Sequence, residues 1–144
     1  MKNNEEINNR ELIGYDEIYK KLIALYKKDV LPNKILLSGN RGIGKSLFAK
    51  CFINNILSNQ MNGAAYNLID DNILGLNKFA NQNFFHIDIQ SNKKFIEIDQ
   101  IRDLILKSQK QSMNFLPRFI LIDNTDKLNK NASNALLKIL EEPY

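Results

Sequence analysis

The chain has 144 residues, 44% of them apolar and 25% charged, a balance that predicts one globular unit with a buried core and excludes a disordered chain. A net charge of +4 and a pI near 9.1 are mildly basic, which permits an acidic partner such as DNA but is explained equally by solvated lysine pairs at Lys20-Lys21, Lys27-Lys28 and Lys93-Lys94. No apolar run reaches the roughly 18 residues that cross a bilayer, and the start "MKNNEEINNRELIGYDE" lacks a signal peptide's apolar stretch, so a cytoplasmic location without membrane attachment is expected. The single Cys51 excludes an internal disulfide and a cysteine zinc module; it lies in an apolar segment and reads as a small buried hydrophobe.

Residues 1–11 read as a loose polar arm. From Tyr15 onward, Tyr15, Ile18, Leu22, Leu25 and Tyr26 fall at helical spacing, with Asp16 and Glu17 in the first turn and Lys27 and Lys28 in the last, where they complement the helix dipole. Pro32 marks a turn. "KILLS" predicts a short buried strand, "GNRGIGKS" a glycine-rich loop, and "LFAKCFINNIL" a helix apolar nearly all round, packed inside the unit.

Residues 58–83 are the least readable; Leu68, Ile73, Leu76 and Phe79 fit a short amphipathic helix. "FFHIDI" predicts a strand, "SNKK" a loop, and "IDQIRDLILKSQ" a helix with Ile98, Ile101 and Ile105 on one face and Asp99 as N-cap. "RFILID" has no polar alternation, the pattern of a parallel strand covered on both faces. "NASNALLKILEE" places Ala132, Ala135, Leu136, Ile139 and Leu140 on one stripe, and Pro143 stops it. Strands alternating with helices predict an α/β fold with a parallel sheet.

Gly39, Gly44, Lys45 and Ser46 satisfy G-x-x-x-x-G-K-[ST], and Gly42 adds a further flexible point. Glycines at this spacing let consecutive backbone N–H groups curl around an anion while the next helix points its positive end at the same charge. The strand before and the helix after are the context this phosphate-binding motif requires. The candidate nucleotide-binding residues are Gly39, Asn40, Arg41, Gly42, Ile43, Gly44, Lys45, Ser46 and Leu47, with Lys45 meeting the β- and γ-phosphates and Ser46 ligating Mg²⁺. A bare strand-to-helix turn is the alternative.

Such a loop needs a carboxylate at the end of a neighbouring apolar strand to hold Mg²⁺ through its water shell, and Asp123 is the candidate. The alternative is an aspartate that only ends the strand. Asn124 follows, where hydrolysis asks for a carboxylate that polarises water; an amide can position water but cannot take its proton. Asp126 would point to the opposite side of an extended strand and reads as a structural acid. His86, a lone histidine before Asp88, reads as a structural residue, with nothing in the sequence arguing for a metal there.

Five segments in order, "LIGYDEIYKKL", "LPNKILLSGNRGIGKSLFAK", "FFHIDI", "IEIDQIRDLI" and "RFILIDNTDKLNKNASNALLKILEEPY", resemble the AAA+ subunits of the bacterial DNA polymerase III clamp loader, over residues 12–144. The resemblance implies a P-loop AAA+ fold with a parallel sheet and flanking helices, binding ATP and Mg²⁺. Its implied partners are the gamma/tau and delta subunits, the sliding clamp and primer-template DNA. Within the family, motor subunits of the gamma/tau type carry Asp-Glu after the strand, whereas delta-prime subunits carry a non-acidic residue and then a second Asp. Asp123, Asn124, Thr125 and Asp126 are similar to the delta-prime pattern, which implies weak or absent ATPase activity.

Two positions depart from the family: its His-Pro-Asp reads His86-Ile87-Asp88 here, and its cysteine zinc module is absent. The resemblance also implies a sensor-1 strand, a lid and a collar domain beyond Tyr144. Since the sensor-1 strand would sit between the "KILLS" and "RFILID" strands, the 144-residue piece is expected to be truncated and poorly stable by itself. The competing readings are a gamma/tau-type motor and, outside the family, a small-molecule P-loop kinase or other NTPase.

Overall fold

The structure, a computed structural model, describes residues 14–62, 83–108 and 116–141, with the main chain alone over 58–62. The polar arm, the helix expected through Leu68 and Phe79 and the stop at Pro143 lie outside the described residues. In chain order the elements are α1 (Asp16–Lys27), α2 (Lys45–Asn62), β1 (Phe84–Ile87), α3 (Ile98–Ser108), β2 (Phe119–Ile122), a single 3₁₀ turn (Thr125–Lys127) and α4 (Lys130–Glu141).

β1 and β2 pair in parallel, with Phe84 opposite Phe119 and Ile87 opposite Ile122. The Asp123 N–H extends the ladder by one rung to the Ile87 carbonyl, at 2.9 Å. Side chains alternate across this two-stranded sheet. Phe84, Phe119 and Leu121 face a cluster built from Tyr19 and Ile23 of α1 and Phe48, Phe52, Ile53, Ile56 and Leu57 of α2. Phe85, Ile87 and Ile122 face a second cluster, with Ile96, Ile101 and Leu104 around α3 and Ala132, Ala135, Leu136 and Ile139 of α4. Helices thus cover both faces, as the uninterrupted apolar strands predict. Cys51 is buried, and burial pushes its thiol pKa up, in keeping with a small hydrophobe.

α1 forms where expected, but its inward stripe runs through Tyr15, Tyr19, Leu22, Ile23 and Tyr26, and Ile18 faces solvent. The aromatic packing decides the rotation: the Tyr19 ring meets Phe48 and Phe52 edge to face, with centroids 6.0 and 6.2 Å away. α3 begins at Ile98, so Asp99 sits inside the first turn and is not the N-cap. The capping role passes to Gln100, whose Oε1 accepts the Glu97 N–H at 3.1 Å. In α4 the stripe buries Ala132 and packs Ala135, Leu136 and Ile139, while Leu140 stays at the surface.

The predicted strand over "KILLS" is not formed. Residues 35–38 have no ladder partner among the described residues, and a strand exists only through its ladder. Leu37 packs against the first cluster, whereas Leu36 is 81% exposed. The segment is tied instead by the Lys34 ammonium, which donates to the Leu140 carbonyl at the end of α4.

Candidate functional site

The site forms where the loop before α2 meets the carboxyl ends of β1 and β2. Gly39, Gly42 and Gly44 have φ of 146°, 85° and 91°. At Gly39 the backbone conformation is what calls for glycine; an added Cβ would stand 2.7 Å from Ile43 Cδ1, the free end of an exposed side chain that can move aside. Gly44 turns the chain into α2, and its carbonyl takes the first helical bond, from Phe48 N at 2.9 Å. The loop is held from outside by Tyr15, whose hydroxyl donates to the Ile43 carbonyl at 2.5 Å while its ring packs on Phe48.

Lys45 opens α2 and folds back over the loop, its ammonium donating to the Gly39 and Asn40 carbonyls at 2.8 Å each. Arg41 and Gly42 form the exposed tip of the turn, and Leu47 points its side chain toward solvent. Ser46 reaches across to β2: its Oγ donates to Asp123 Oδ2 at 2.7 Å, joining residues 77 positions apart in sequence. The hydroxyl and carboxylate that the sequence singles out therefore meet, and two hard oxygen donors at a helix N-terminus suit Mg²⁺. What this end of the fold offers an anion is the positive end of α2 and the charge of Lys45.

Three further residues enter the site. His86 Nε2 donates to the same Asp123 Oδ2 at 2.8 Å, and its ring stacks on Phe84, tilted by only 8°. Asp88 Oδ1 accepts both its neighbour's Ile89 N–H and the Asn124 side-chain amide, each at 2.7 Å. Asn124 takes a left-handed backbone, φ 50° and ψ 47°, and is aimed at Asp88. The signal for this grouping was present in "FFHID" and "FILID": the parallel register puts Asp88 and Asp123 at matching positions just past the ends of the two strands. Asp126 lies in the 3₁₀ turn, exposed, with a carboxylate oxygen 3.6 Å from the Lys127 ammonium; the extended strand from which its direction is reckoned ends at Ile122.

A parallel strand pair covered by helices on both faces, with G-x-x-x-x-G-K-S opening a helix whose Ser46 meets the aspartate that ends β2, is the arrangement of an α/β P-loop module of the AAA+ type, short of the strand that should precede the loop, which is not formed among the described residues. The particular family follows from comparison with known proteins. The model of the family described as "DNA polymerase III, delta subunit" matches residues 14–144, and the chain belongs to that family. It is similar to DNA polymerase III subunit gamma/tau of Mycoplasma genitalium, at 30% identity over 96% of this chain and 23% of that protein. It is similar to DNA polymerase III subunit delta' of Buchnera aphidicola, at 29% identity over 87% of this chain and 38% of that protein. Replication factor C small subunit of Methanococcus vannielii is 27% identical over 92% of this chain and 35% of that protein. The chain thus spans well under half the length of these relatives. Among the described residues no helix is long and apolar enough to cross a membrane.

Proposed function

We propose that this chain acts as a delta-prime-like subunit of the DNA polymerase III clamp loader. In this role it holds ATP and Mg²⁺ and helps load the sliding clamp onto primed DNA, with little or no hydrolysis of its own. Residues 12–144 are then part of an AAA+ domain. Its partners are the gamma/tau and delta subunits, the clamp, and primer-template DNA within the assembled ring, in the cytoplasm. The observation that carries the reading is the 2.7 Å bond from Ser46 to Asp123, with Asn124 next in the chain.

Gly39 to Leu47 supply the phosphate cradle, with Lys45 giving up its two loop carbonyls to meet the terminal phosphates. Ser46 and Asp123 would hold Mg²⁺, which when bound neutralises phosphate charge. Asn124 cannot accept a proton from water, and its amide is committed to Asp88. The gamma/tau motor is the second reading, favoured by the 30% identity to the Mycoplasma subunit. A motor needs a base beside Asp123, and the side chain next in the chain is an amide. The family membership sets aside the unrelated kinase.

Calorimetry with ATP and Mg²⁺ on the full-length protein and its Lys45→Ala variant tests nucleotide holding. Loss of measurable affinity in the variant is expected, because the lysine is the cation the phosphates meet. Equal affinity in both would show that the loop binds no nucleotide.

A further inference from the structure

We infer that His86, Asp88 and Asp123 form a binding site for a divalent transition-metal ion, one that fills without nucleotide. One ligand atom from each of the three lies within 4.8 Å of the other two, near enough for a single ion to meet all three. The site goes beyond the nucleotide-holding reading and stands without it, although it shares Asp123 with the proposed Mg²⁺ pair.

The fold presets these groups. His86 and Asp88 alternate onto one face at the end of β1, and the ladder rung from Asp123 N to the Ile87 carbonyl fixes Asp123 beside them. Stacking on Phe84 orients the imidazole. The Asp88 carboxylate is oriented too, because Oδ1 takes both the Ile89 and Asn124 donors; among the described residues no donor reaches Oδ2. The Asp88 carbonyl is pinned in turn by Gln100 Nε2 at 3.0 Å. Hydrogen bonds of this kind hold metal ligands in place and are often as important as the ligands themselves.

The donor set selects the ion. Two carboxylates alone would suit Mg²⁺ or Ca²⁺; an imidazole nitrogen shifts preference to Mn²⁺, Co²⁺, Fe²⁺ or Zn²⁺. The ion would take the place of the proton that Nε2 donates to Asp123, and that proton passes to Nδ1, so the ring binds as a neutral imidazole. With the imidazole 32% and Asp123 19% exposed, the edge of the cluster is open to solvent, so an ion can enter.

The test uses Co²⁺ absorption titration and Mn²⁺ pulsed EPR on the full-length, tag-free protein without nucleotide. Nitrogen coupling to Mn²⁺ that disappears in His86→Gln is assigned to that imidazole by its loss. Expected are that coupling in the wild type, its loss in His86→Gln, and Co²⁺ affinity about tenfold or more weaker in the variant. Asp88→Asn, which keeps an acceptor for Ile89 and Asn124, should weaken Co²⁺ comparably with an unchanged circular dichroism spectrum. Lys45→Ala should bind Co²⁺ like the wild type, so Co²⁺ bound by a wild type that takes up no ATP would overturn nucleotide holding and leave this site standing. No nitrogen coupling in the wild type, or equal Co²⁺ affinity in His86→Gln, would overturn the site.

Discussion

Asn124 does two jobs that a glutamate could not. Its backbone is left-handed, a conformation that asparagine tolerates better than most side chains, and its amide donates to Asp88 at 2.7 Å. A glutamate there would lose that bond and set a carboxylate against a carboxylate. Asn124→Glu is therefore expected to lower stability by about 1–3 kcal/mol, from left-handed strain and the lost bond. Denaturant unfolding reads the loss, and a variant as stable as the wild type would contradict this. In the sequence Asn124 reads as an absent base, because composition shows that a carboxylate is missing but not where the amide points. His86 was illegible for a related reason: its partner Asp123 lies on the other strand, and only the register brings the two together.

At the scale of elements, the local signals were legible wherever a segment's own chemistry decides its form. Both strands that pair, Phe84–Ile87 and Phe119–Ile122, fall inside the predicted runs "FFHIDI" and "RFILID", and α2 follows the glycine loop directly. "KILLS" is as apolar as either strand but has no described partner to complete a ladder, and a partner is not a property of the segment itself. The one cap read from the sequence, Asp99, falls inside the first turn of α3, since several polar residues near a helix start compete for the role. For α4 the cap is Asn129, whose Oδ1 accepts the Ala132 N–H at 2.8 Å. Asn129→Ala is expected to cost about 1 kcal/mol of stability. A shift of the urea midpoint with an unchanged slope is the signature, and an unchanged midpoint would remove the cap's role.

For the whole molecule, the same sheet that divides the two apolar clusters also aligns the site. Ile96 and Ile101 are fully buried beneath one face, each contributing about 1.5–3 kcal/mol through burial, and the Gln100 side chain runs from that layer to the Asp88 carbonyl. On the other face, Phe48 and Phe52 seat α2 so that Ser46 at its first turn meets Asp123. The P-loop half of the site was legible because its spacing is contiguous in sequence, whereas the closure onto Asp88 and Asn124 depends on the parallel register. The proposed role as a nucleotide-holding clamp-loader subunit is tested most directly by identifying the nucleotide that stays on the full-length protein. The protein is incubated with ATP and Mg²⁺, freed of unbound nucleotide, and its bound nucleotide is released and separated by chromatography. Intact ATP, one per chain and absent from Lys45→Ala, is the expected result; continuous conversion to ADP at motor-like rates, or no retained nucleotide at all, would contradict it.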